Sequence, residues 1–197
     1  MSVIAATNRC VFLDRDGVLN KAIVRNGTPF PPNSPEELEL SPDVVAGCDQ
    51  LKQAGFLLVV VTNQPDVGRG KQTRELVEAI NQRLAELIPV LDRLEVCFHA
   101  GAEHGEPCEC RKPKPGMLER AAAALDIDLS ASWMIGDRWR DIDCAHAAGC
   151  RAVFIDHGYR ETLREKPEFT VATFREAVTT ILNAAPQNHL AGEANRG

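Results

Sequence analysis

The chain has 197 residues, of which 44% are apolar and 25% are charged, a balance typical of a soluble globular protein with one domain. Its formal charge of −6 disfavours non-specific binding to nucleic acid. The N-terminus has no signal-peptide pattern, and no apolar run is long enough to span a membrane. We therefore expect a monomeric cytoplasmic protein whose seven cysteines are reduced thiols or metal ligands.

Apolar segments typical of buried strands alternate along the chain with amphipathic segments typical of helices. The predicted strands are residues 10–13, 56–62, 94–98, 133–136 and 152–155, and the predicted helices lie within residues 44–51, 76–88, 117–125 and 174–182. Thr73 and Asp141 are candidate helix starts, and Gly55 and Gly149 are candidate helix ends. This alternation predicts a Rossmann-like α/β fold, in which a central parallel sheet lies between two layers of helices.

Residues 20–43 interrupt the alternation, because they contain five prolines and no helical pattern. They directly follow the first predicted strand, so they form either an extended flap beside the functional site or an ordinary surface loop. The segment is too short for a large cap domain. We expect one domain over residues 1–185, followed by a disordered polar tail over residues 186–197.

Two carboxylates directly follow the first predicted strand, in the motif Asp14-Arg15-Asp16. Carboxylates so close together repel each other unless a cation, a proton or a division of roles relieves the repulsion. Three further motifs lie at strand ends or before a helix: Thr62-Asn63-Gln64, Arg111-Lys112-Pro113, and Gly136-Asp137 with Asp141 four residues later. Because open α/β folds place their chemistry at the carboxyl ends of the strands, the four motifs predict one catalytic site.

The order of these motifs resembles the haloacid dehalogenase (HAD) superfamily of phosphohydrolases over residues 10–155. The resemblance implies that Asp14 attacks phosphorus to form an aspartyl-phosphate, and that Asp16 protonates the leaving alcohol and then activates water. Since the attacking carboxylate and the phosphate are both anionic, we expect Mg²⁺ on Asp14, the backbone carbonyl of Asp16, and Asp137. Asp141 is either a further partner of this metal site or the N-terminal charge of a helix.

The other polar residues of the motifs are candidate contacts of a phosphorylated substrate. Thr62 would donate a hydrogen bond to a phosphoryl oxygen, and Lys112 would neutralise charge that develops in the transition state. The candidate substrate-binding residues are Asn63, Gln64, Arg111 and Arg138. Lys114 is either a further contact or a solvated side chain. The predicted partner is a small phosphorylated molecule, and neither nucleic acid nor a membrane is expected to bind.

A second cluster has the composition of a structural zinc site, with three sulfurs and one imidazole and no open position for catalysis. The set is Cys97, His99, Cys108 and Cys110. His104 is an alternative nitrogen ligand, and the competing interpretation is three buried thiols with a chance histidine. The other cysteines lie in apolar segments and are predicted to be core residues. Zn²⁺ in the loop over residues 97–110 would fix Arg111 and Lys112 against the phosphate.

The zinc motif continues into Arg111-Lys112-Pro113 and Pro115-Gly116-Met117, and together these residues resemble the heptose-bisphosphate phosphatase family of the HAD superfamily. The resemblance implies a Mg²⁺-dependent phosphoric monoester hydrolase acting on a small sugar bisphosphate, a heptose 1,7-bisphosphate at its 7-phosphate. Histidinol-phosphate phosphatases share the aspartates and the zinc loop, so they remain the first alternative. A phosphotransferase with the same first step and a zinc-loop binding module without activity also stay open. The proline-rich segment departs from the family pattern.

Overall fold

The computed structural model describes residues 8–25, 28–101, 105 and 107–184. The tail predicted over residues 186–197 and the alternative ligand His104 lie outside the described residues. The monomeric state stays a prediction as well. No helix within the described ranges is long and apolar enough to cross a bilayer.

Six parallel strands form the central sheet, and two short strands form a separate hairpin. The strands are β1 (Arg9–Leu13), β2 (Ile23–Arg25), β3 (Thr28–Phe30), β4 (Phe56–Asn63), β5 (Arg93–Cys97), β6 (Trp133–Gly136), β7 (Arg151–Ile155) and β8 (Phe169–Val171). The order in the central sheet is β5-β4-β1-β6-β7-β8, and every neighbouring pair is parallel. β2 and β3 pair in antiparallel fashion to make the hairpin.

Helices cover both faces of the sheet, so the predicted three-layer α/β fold is confirmed. The helices are α1 (Val44–Gln53), α2 (Pro65–Gly68), α3 (Arg74–Leu87), α4 (Gly116–Leu125), α5 (Trp139–Ala147) and α6 (Phe174–Ala184). One hydrophobic core receives side chains from α1, α3 and α6, and the other receives them from α4 and α5. In β1, Val11 and Leu13 enter the first core while Cys10 and Phe12 enter the second. A strand buried on both faces in this way is apolar at every position.

The structure confirms the five strands predicted from apolar runs to within one residue at each end. Thr73 is confirmed as a helix start, because its hydroxyl oxygen accepts a hydrogen bond from the Leu76 N–H at 3.2 Å. Gly55 and Gly149 are confirmed just beyond the ends of α1 and α5, where their φ angles are +84° and +81°.

Asp141 as a helix start is wrong. Helix α5 begins two residues earlier, at Trp139, and Asp141 is its third residue. The Asp141 carboxylate accepts a hydrogen bond from the Arg138 N–H at 3.0 Å, and so it satisfies an amide at the helix N-terminus from within the helix. The same carboxylate also belongs to the charged cluster described below.

Residues 20–43 contain no α-helix where the structure describes them, in agreement with their proline content. They form the β2–β3 hairpin and a single 3-10 turn at Pro35–Glu37. The base of this arm is closed by backbone hydrogen bonds from Ser41 to Leu19 and from Lys21 to Glu39. It is therefore an extended arm, not an inserted cap domain.

Candidate active site

Three neighbouring strands deliver polar side chains to one edge of the sheet. Asp14 follows β1, Thr62 lies near the end of β4, and Asp137 follows β6. Because β1 lies between β4 and β6, the carboxyl ends of these strands bring the three side chains together. All three residues are buried.

Lys112 lies among buried carboxylates in this edge. Its Nζ atom lies 2.7 Å from Asp14 Oδ1 and 2.7 Å from Asp141 Oδ1, and it donates to the Val61 carbonyl at 2.8 Å. Burial alone would lower the pKa of Lys112, but the charges of Asp14 and Asp141 outweigh burial and raise that pKa. Lys112 is therefore a fixed ammonium group beside the predicted nucleophile.

The carboxylates of this cluster outnumber the lysine. Burial raises the pKa of Asp14 to about 7, an effect that Lys112 opposes and Asp141 reinforces. Burial also raises the pKa of Asp137, with further repulsion from Asp14 and Asp141. Oxygen atoms of these three carboxylates lie within 4.8 Å of one another, and neither oxygen of Asp137 has a hydrogen-bond partner among the described residues.

Unpartnered buried oxygens with excess negative charge fit a divalent cation, because a cation would restore the ionised form of each carboxylate. Mg²⁺ binds through one or two carboxylates together with water and substrate phosphate, and Asp14 and Asp137 supply such carboxylates here. Asp141 lies within reach of the same position, although Lys112 and the Arg138 N–H already occupy its two oxygens. The structure thus shows its role at the helix N-terminus, and a role as metal partner stays a prediction.

The turn after Asp14 is closely fitted to the Asp137 carboxylate. Gly17 has a φ angle of +95°, and a Cβ atom placed on it would lie 2.0 Å from Asp137 Oδ2. Any other residue at position 17 would collide with Asp137 and would also strain the backbone. Glycine is thus required for the turn to approach the metal site.

Asp16 is held by side chains from three parts of the chain. Its Oδ2 atom accepts hydrogen bonds from Arg15 Nη2 and from Gln64 Nε2, each at 2.8 Å, and its Oδ1 atom accepts one from Asn20 at 3.1 Å. Arg15 is fully buried and also donates to Asn81. These hydrogen bonds fix the orientation of the Asp16 carboxylate. Sequence reasoning missed Arg15, Asn20 and Asn81 because their partners are identified only by the fold.

The side-chain amides of two predicted substrate-binding residues form hydrogen bonds within the protein. Gln64 donates to Thr62 Oγ1 as well as to Asp16, each at 2.8 Å. The Asn63 side chain accepts from the Lys112 N–H and donates to the Lys112 carbonyl, both at 3.1 Å. Both residues still line the catalytic cavity. Their hydrogen bonds favour a role in positioning Thr62, Asp16 and Lys112.

The catalytic cavity has a volume of about 340 Å³, and six cations are among its lining residues. The cations are Arg69, Lys71, Arg111, Lys112, Arg138 and Arg140. Phe30 and Pro31 of the proline-rich arm also line this cavity, as the flap interpretation of residues 20–43 predicts. Lys114 does not line it, but it does line the adjoining cavity.

Arg138 forms a close ion pair with a carboxylate, whereas Arg140 and Arg111 have weaker partners or none of opposite charge among the described residues. Arg138 donates to Glu161 through Nε at 2.6 Å, and Arg140 lies 3.9 Å from the same carboxylate. Burial lowers the pKa of Arg140, and the neighbouring cations Arg138 and Arg111 lower it further against the attraction of Glu161. Arg111 has no carboxylate partner among the described residues, and its guanidinium donates only weakly to the His99 carbonyl, at 3.4 Å. Arg69, Lys71 and Arg140 were not predicted, since nothing in the local sequence separates them from solvated cations.

The four residues of the predicted zinc site converge. Ligand atoms of Cys97, His99, Cys108 and Cys110 lie within 4.8 Å of one another. The Cys97–Cys108 Sγ–Sγ distance is 3.8 Å, and Nδ1 of His99 lies 3.6 Å from Cys97 Sγ and 3.2 Å from Cys110 Sγ. Zinc–thiolate bonds of about 2.3 Å give tetrahedral edges of about 3.8 Å, so the set fits Zn²⁺. Burial raises the pKa of the Cys97 thiol to about 12, a penalty that a bound cation would remove.

Known proteins resemble this chain in sequence and in fold. A family model described as HAD-hydrolase-like matches residues 109–177. The D-glycero-β-D-manno-heptose-1,7-bisphosphate 7-phosphatase of Yersinia pestis is 40% identical over 146 residues, which are 70% of this chain and 74% of that protein. The chain belongs to the HAD-like phosphatases.

Other HAD-like phosphatases agree with this assignment. The enzyme of the same name from Pseudomonas aeruginosa is 34% identical over 150 residues, covering 75% of this chain and 81% of that protein. The D,D-heptose 1,7-bisphosphate phosphatase of B. bronchiseptica, solved with magnesium and phosphate, superposes with a TM-score of 0.74 at 27% identity. That alignment covers 90% of this chain and 99% of the solved one. This HAD-like phosphatase is therefore a phosphoric monoester hydrolase.

Proposed function

We propose that this phosphatase removes the 7-phosphate of D-glycero-β-D-manno-heptose 1,7-bisphosphate. The names of its relatives support this substrate. One observation in the cavity supports a substrate with two phosphates over a substrate with one. Arg69, Arg111 and Arg140, here called the arginine cluster, line both the catalytic cavity and an adjoining cavity of about 440 Å³. In the proposal they bind the part of the substrate that is not hydrolysed.

The arginine cluster favours a second phosphate over the first alternative substrate. Repulsion between Arg140 and Arg111 is relieved by an anion placed between them, and guanidinium groups bind phosphate with paired hydrogen bonds. Histidinol phosphate has an imidazole ring at the end away from its phosphate, and an ammonium group on the carbon next to the one that carries the phosphate. It offers the arginine cluster no second anion, and three arginines would repel its cationic groups in a partly buried site. A sugar bisphosphate matches this charge pattern and histidinol phosphate opposes it.

The chemical roles follow from the contacts of Asp14. Its Oδ1 atom accepts hydrogen bonds from Lys112 Nζ at 2.7 Å and from the Arg15 N–H at 2.8 Å. Oδ2 is then the oxygen that attacks phosphorus, which forms the aspartyl-phosphate as the bond to the sugar oxygen breaks. Lys112 and Thr62 stabilise the phosphoryl oxygens, while Asp16 gives a proton to the leaving alcohol and later takes one from water.

Two metal ions support these steps in the proposal. Asp14, the carbonyl of Asp16, and Asp137 would hold Mg²⁺, which would screen the negative charges of nucleophile and phosphate from each other. Cys97, His99, Cys108 and Cys110 would hold Zn²⁺ in a closed structural site. Because Arg111 and Lys112 directly follow Cys110, this site would fix both cations relative to the phosphate.

The proposal is tested by phosphate release from both anomers of heptose 1,7-bisphosphate, from heptose 7-phosphate and from histidinol phosphate. We expect the highest kcat/KM for the β anomer of the bisphosphate, and no release with Asp14→Asn. Arg140→Gln should raise KM for the bisphosphate about tenfold, the effect of one lost charge-assisted contact, and leave KM for heptose 7-phosphate nearly unchanged.

Arg164→Gln is the matched control, because Arg164 also contacts the Trp139 ring but does not line the catalytic cavity. A preference for histidinol phosphate would overturn the substrate assignment. An equal rise in KM for the mono- and bisphosphate in Arg140→Gln would overturn the role of the arginine cluster.

A further inference from the structure

The segment that follows β7 contacts the active site with three alternate residues. We call residues 156–161 the strap. His157 contacts the turn that follows the nucleophile, Tyr159 lies beside Asp137 and Arg138, and Glu161 binds Arg138. Gly158 lies between the first two with a φ angle of +69°, and the Glu161 N–H donates to the Tyr159 carbonyl at 2.8 Å, so the strap is a bent segment.

The first of these contacts closes around Gly17. His157 Nε2 lies 2.7 Å from the Gly17 carbonyl oxygen, to which it donates, and the Gly17 N–H donates to the Asn20 carbonyl at 2.8 Å. The peptide groups on both sides of Gly17 are therefore held by hydrogen bonds. One of these peptides carries the Asp16 carbonyl, the proposed metal ligand. Glycine has no side chain to restrict its own dihedral angles, so these external bonds set the geometry of the turn.

The strap is itself fixed, so that His157 can act as a restraint. Glu161 makes a two-pronged ion pair with Arg138, and the Arg138 guanidinium carbon lies 5.7 Å from the centre of the Tyr159 ring. The Tyr159 and His157 rings have their centres 5.4 Å apart. Burial raises the pKa of the Tyr159 hydroxyl, and the nearby charge of Asp137 raises it further, so this residue is a neutral spacer. His157 is thereby connected to the same side chains that surround the metal-binding carboxylates.

We propose that His157 is a positioning residue, which holds the turn at Gly17 so that the Asp16 carbonyl and Asp14 meet Asp137 at the geometry that Mg²⁺ and phosphate transfer require. The inference rests on the proposed function for its reaction. It does not need His157 to touch the substrate or the metal. Small displacements of reacting groups are costly in rate, which makes a single hydrogen bond to this turn consequential.

The experiment compares His157→Phe, which keeps a ring and loses the donor, with His157→Gln, whose amide nitrogen can reach the position of Nε2. His157 is solvent-exposed, so neither variant is expected to disturb folding. The matched control is His146→Gln, because His146 also binds residues distant in sequence but contacts only Glu165 and Glu168 on the surface. For each protein, kcat and KM are measured with the bisphosphate, and Mg²⁺ binding is measured by calorimetry without substrate.

In His157→Phe we expect kcat to fall about tenfold with KM nearly unchanged, and the Kd for Mg²⁺ to rise about fivefold. His157→Gln should restore both values to within about twofold of the wild type, and His146→Gln should change neither. A wild-type Kd for Mg²⁺ in His157→Phe, or equal defects in His157→Phe and His157→Gln, would overturn the inference. If the wild type does not hydrolyse the bisphosphate, the proposed function fails, while the Mg²⁺ measurements still test His157.

Discussion

Lys112 couples the charges of the active site, because its ammonium group lies 2.7 Å from an oxygen of Asp14 and 2.7 Å from one of Asp141. Its backbone is also held by the Asn63 side chain. A buried cation with two carboxylate partners stabilises the folded chain and serves the reaction with the same contacts. Removing it leaves two carboxylates without compensation in a buried position.

Lys112→Met is therefore expected to abolish activity and to lower the free energy of unfolding by about 3 kcal/mol when Mg²⁺ is removed by a chelator. Saturating Mg²⁺ should reduce this loss, since a cation near Asp14 and Asp137 partly replaces the missing charge. Thermal unfolding with and without Mg²⁺ measures the difference. Lys114→Met is the control, because Lys114 is solvent-exposed and pairs with the exposed Glu109. An equal loss of stability with and without Mg²⁺ would contradict the coupling of Lys112 to the metal site.

At the scale of elements, the predicted zinc loop over residues 97–110 lies between β5 and α4 and directly precedes Arg111 and Lys112. Cys108→Ser is expected to lose bound zinc and to lower the thermal midpoint, because metal binding and loop folding are coupled. It should also raise KM for the bisphosphate, since Arg111 and Lys112 follow the loop directly. Metal analysis, thermal unfolding and steady-state kinetics report these three effects. Cys48→Ser serves as a control in the same assays, because Cys48 is a core residue of α1. Full retention of zinc in Cys108→Ser would contradict the proposed set of zinc ligands.

A second element-level contact predicts a dependence of stability on pH. His146 of α5 binds Glu165 and Glu168, and Glu168 also accepts a hydrogen bond from the Ala152 N–H of β7 at 2.6 Å. Burial lowers the pKa of His146, but the two carboxylates outweigh burial and raise that pKa above its usual value. The folded state therefore binds the proton more tightly than the unfolded state does. This contribution to stability is complete below the unfolded pKa of about 6.5 and is lost as the pH rises through the folded value.

The measurement is the difference in thermal midpoint between the wild type and His146→Gln at about pH 6 and about pH 8.5. We expect the wild type to be the more stable protein at the lower pH, and the difference to shrink at the higher pH. A difference that grows with pH would show that the neutral imidazole is the stabilising form. Such a result would contradict the ion pairs of this cluster.

The elements that could be predicted from sequence are those whose burial imposes a simple pattern of apolar residues. β1 and β4 are buried on both faces, and burial alone therefore requires an apolar run in each. The predicted catalytic residues Asp14 and Thr62 are conspicuous because they end those runs. β8 escaped prediction because it is a short edge strand with Phe169 and Thr170 exposed. Arg140 and His157 also escaped, since each acquires its role from residues far away in the chain. No sequence motif around His157 indicates its hydrogen bond to the Gly17 carbonyl.

At the scale of the whole molecule, the catalytic cavity is rich in cations although the protein as a whole is acidic. The chain has a formal charge of −6, yet six lysine and arginine residues line the catalytic cavity. A local positive potential attracts an anionic substrate even on an acidic protein, and dissolved salt weakens that attraction. We expect KM for the bisphosphate to rise with ionic strength while kcat changes little. KM for heptose 7-phosphate, which has fewer charges, should rise less steeply; identical salt dependence for the two would contradict the role of the arginine cluster.

The order of strands in the sheet also has a consequence for synthesis of the protein. β1 is made early, but its neighbour β6, which carries Asp137, is made much later, and β1 lies between β4 and β6. A nascent chain that has completed β1 and β4 thus exposes one side of its central strand on the ribosome, a state in which strands readily pair with other chains. Until β6 emerges, the growing chain also lacks Asp137, so the carboxylate cluster is incomplete. Emergence of β6 therefore covers the open side of β1 and brings Asp137 to Asp14 in the same step.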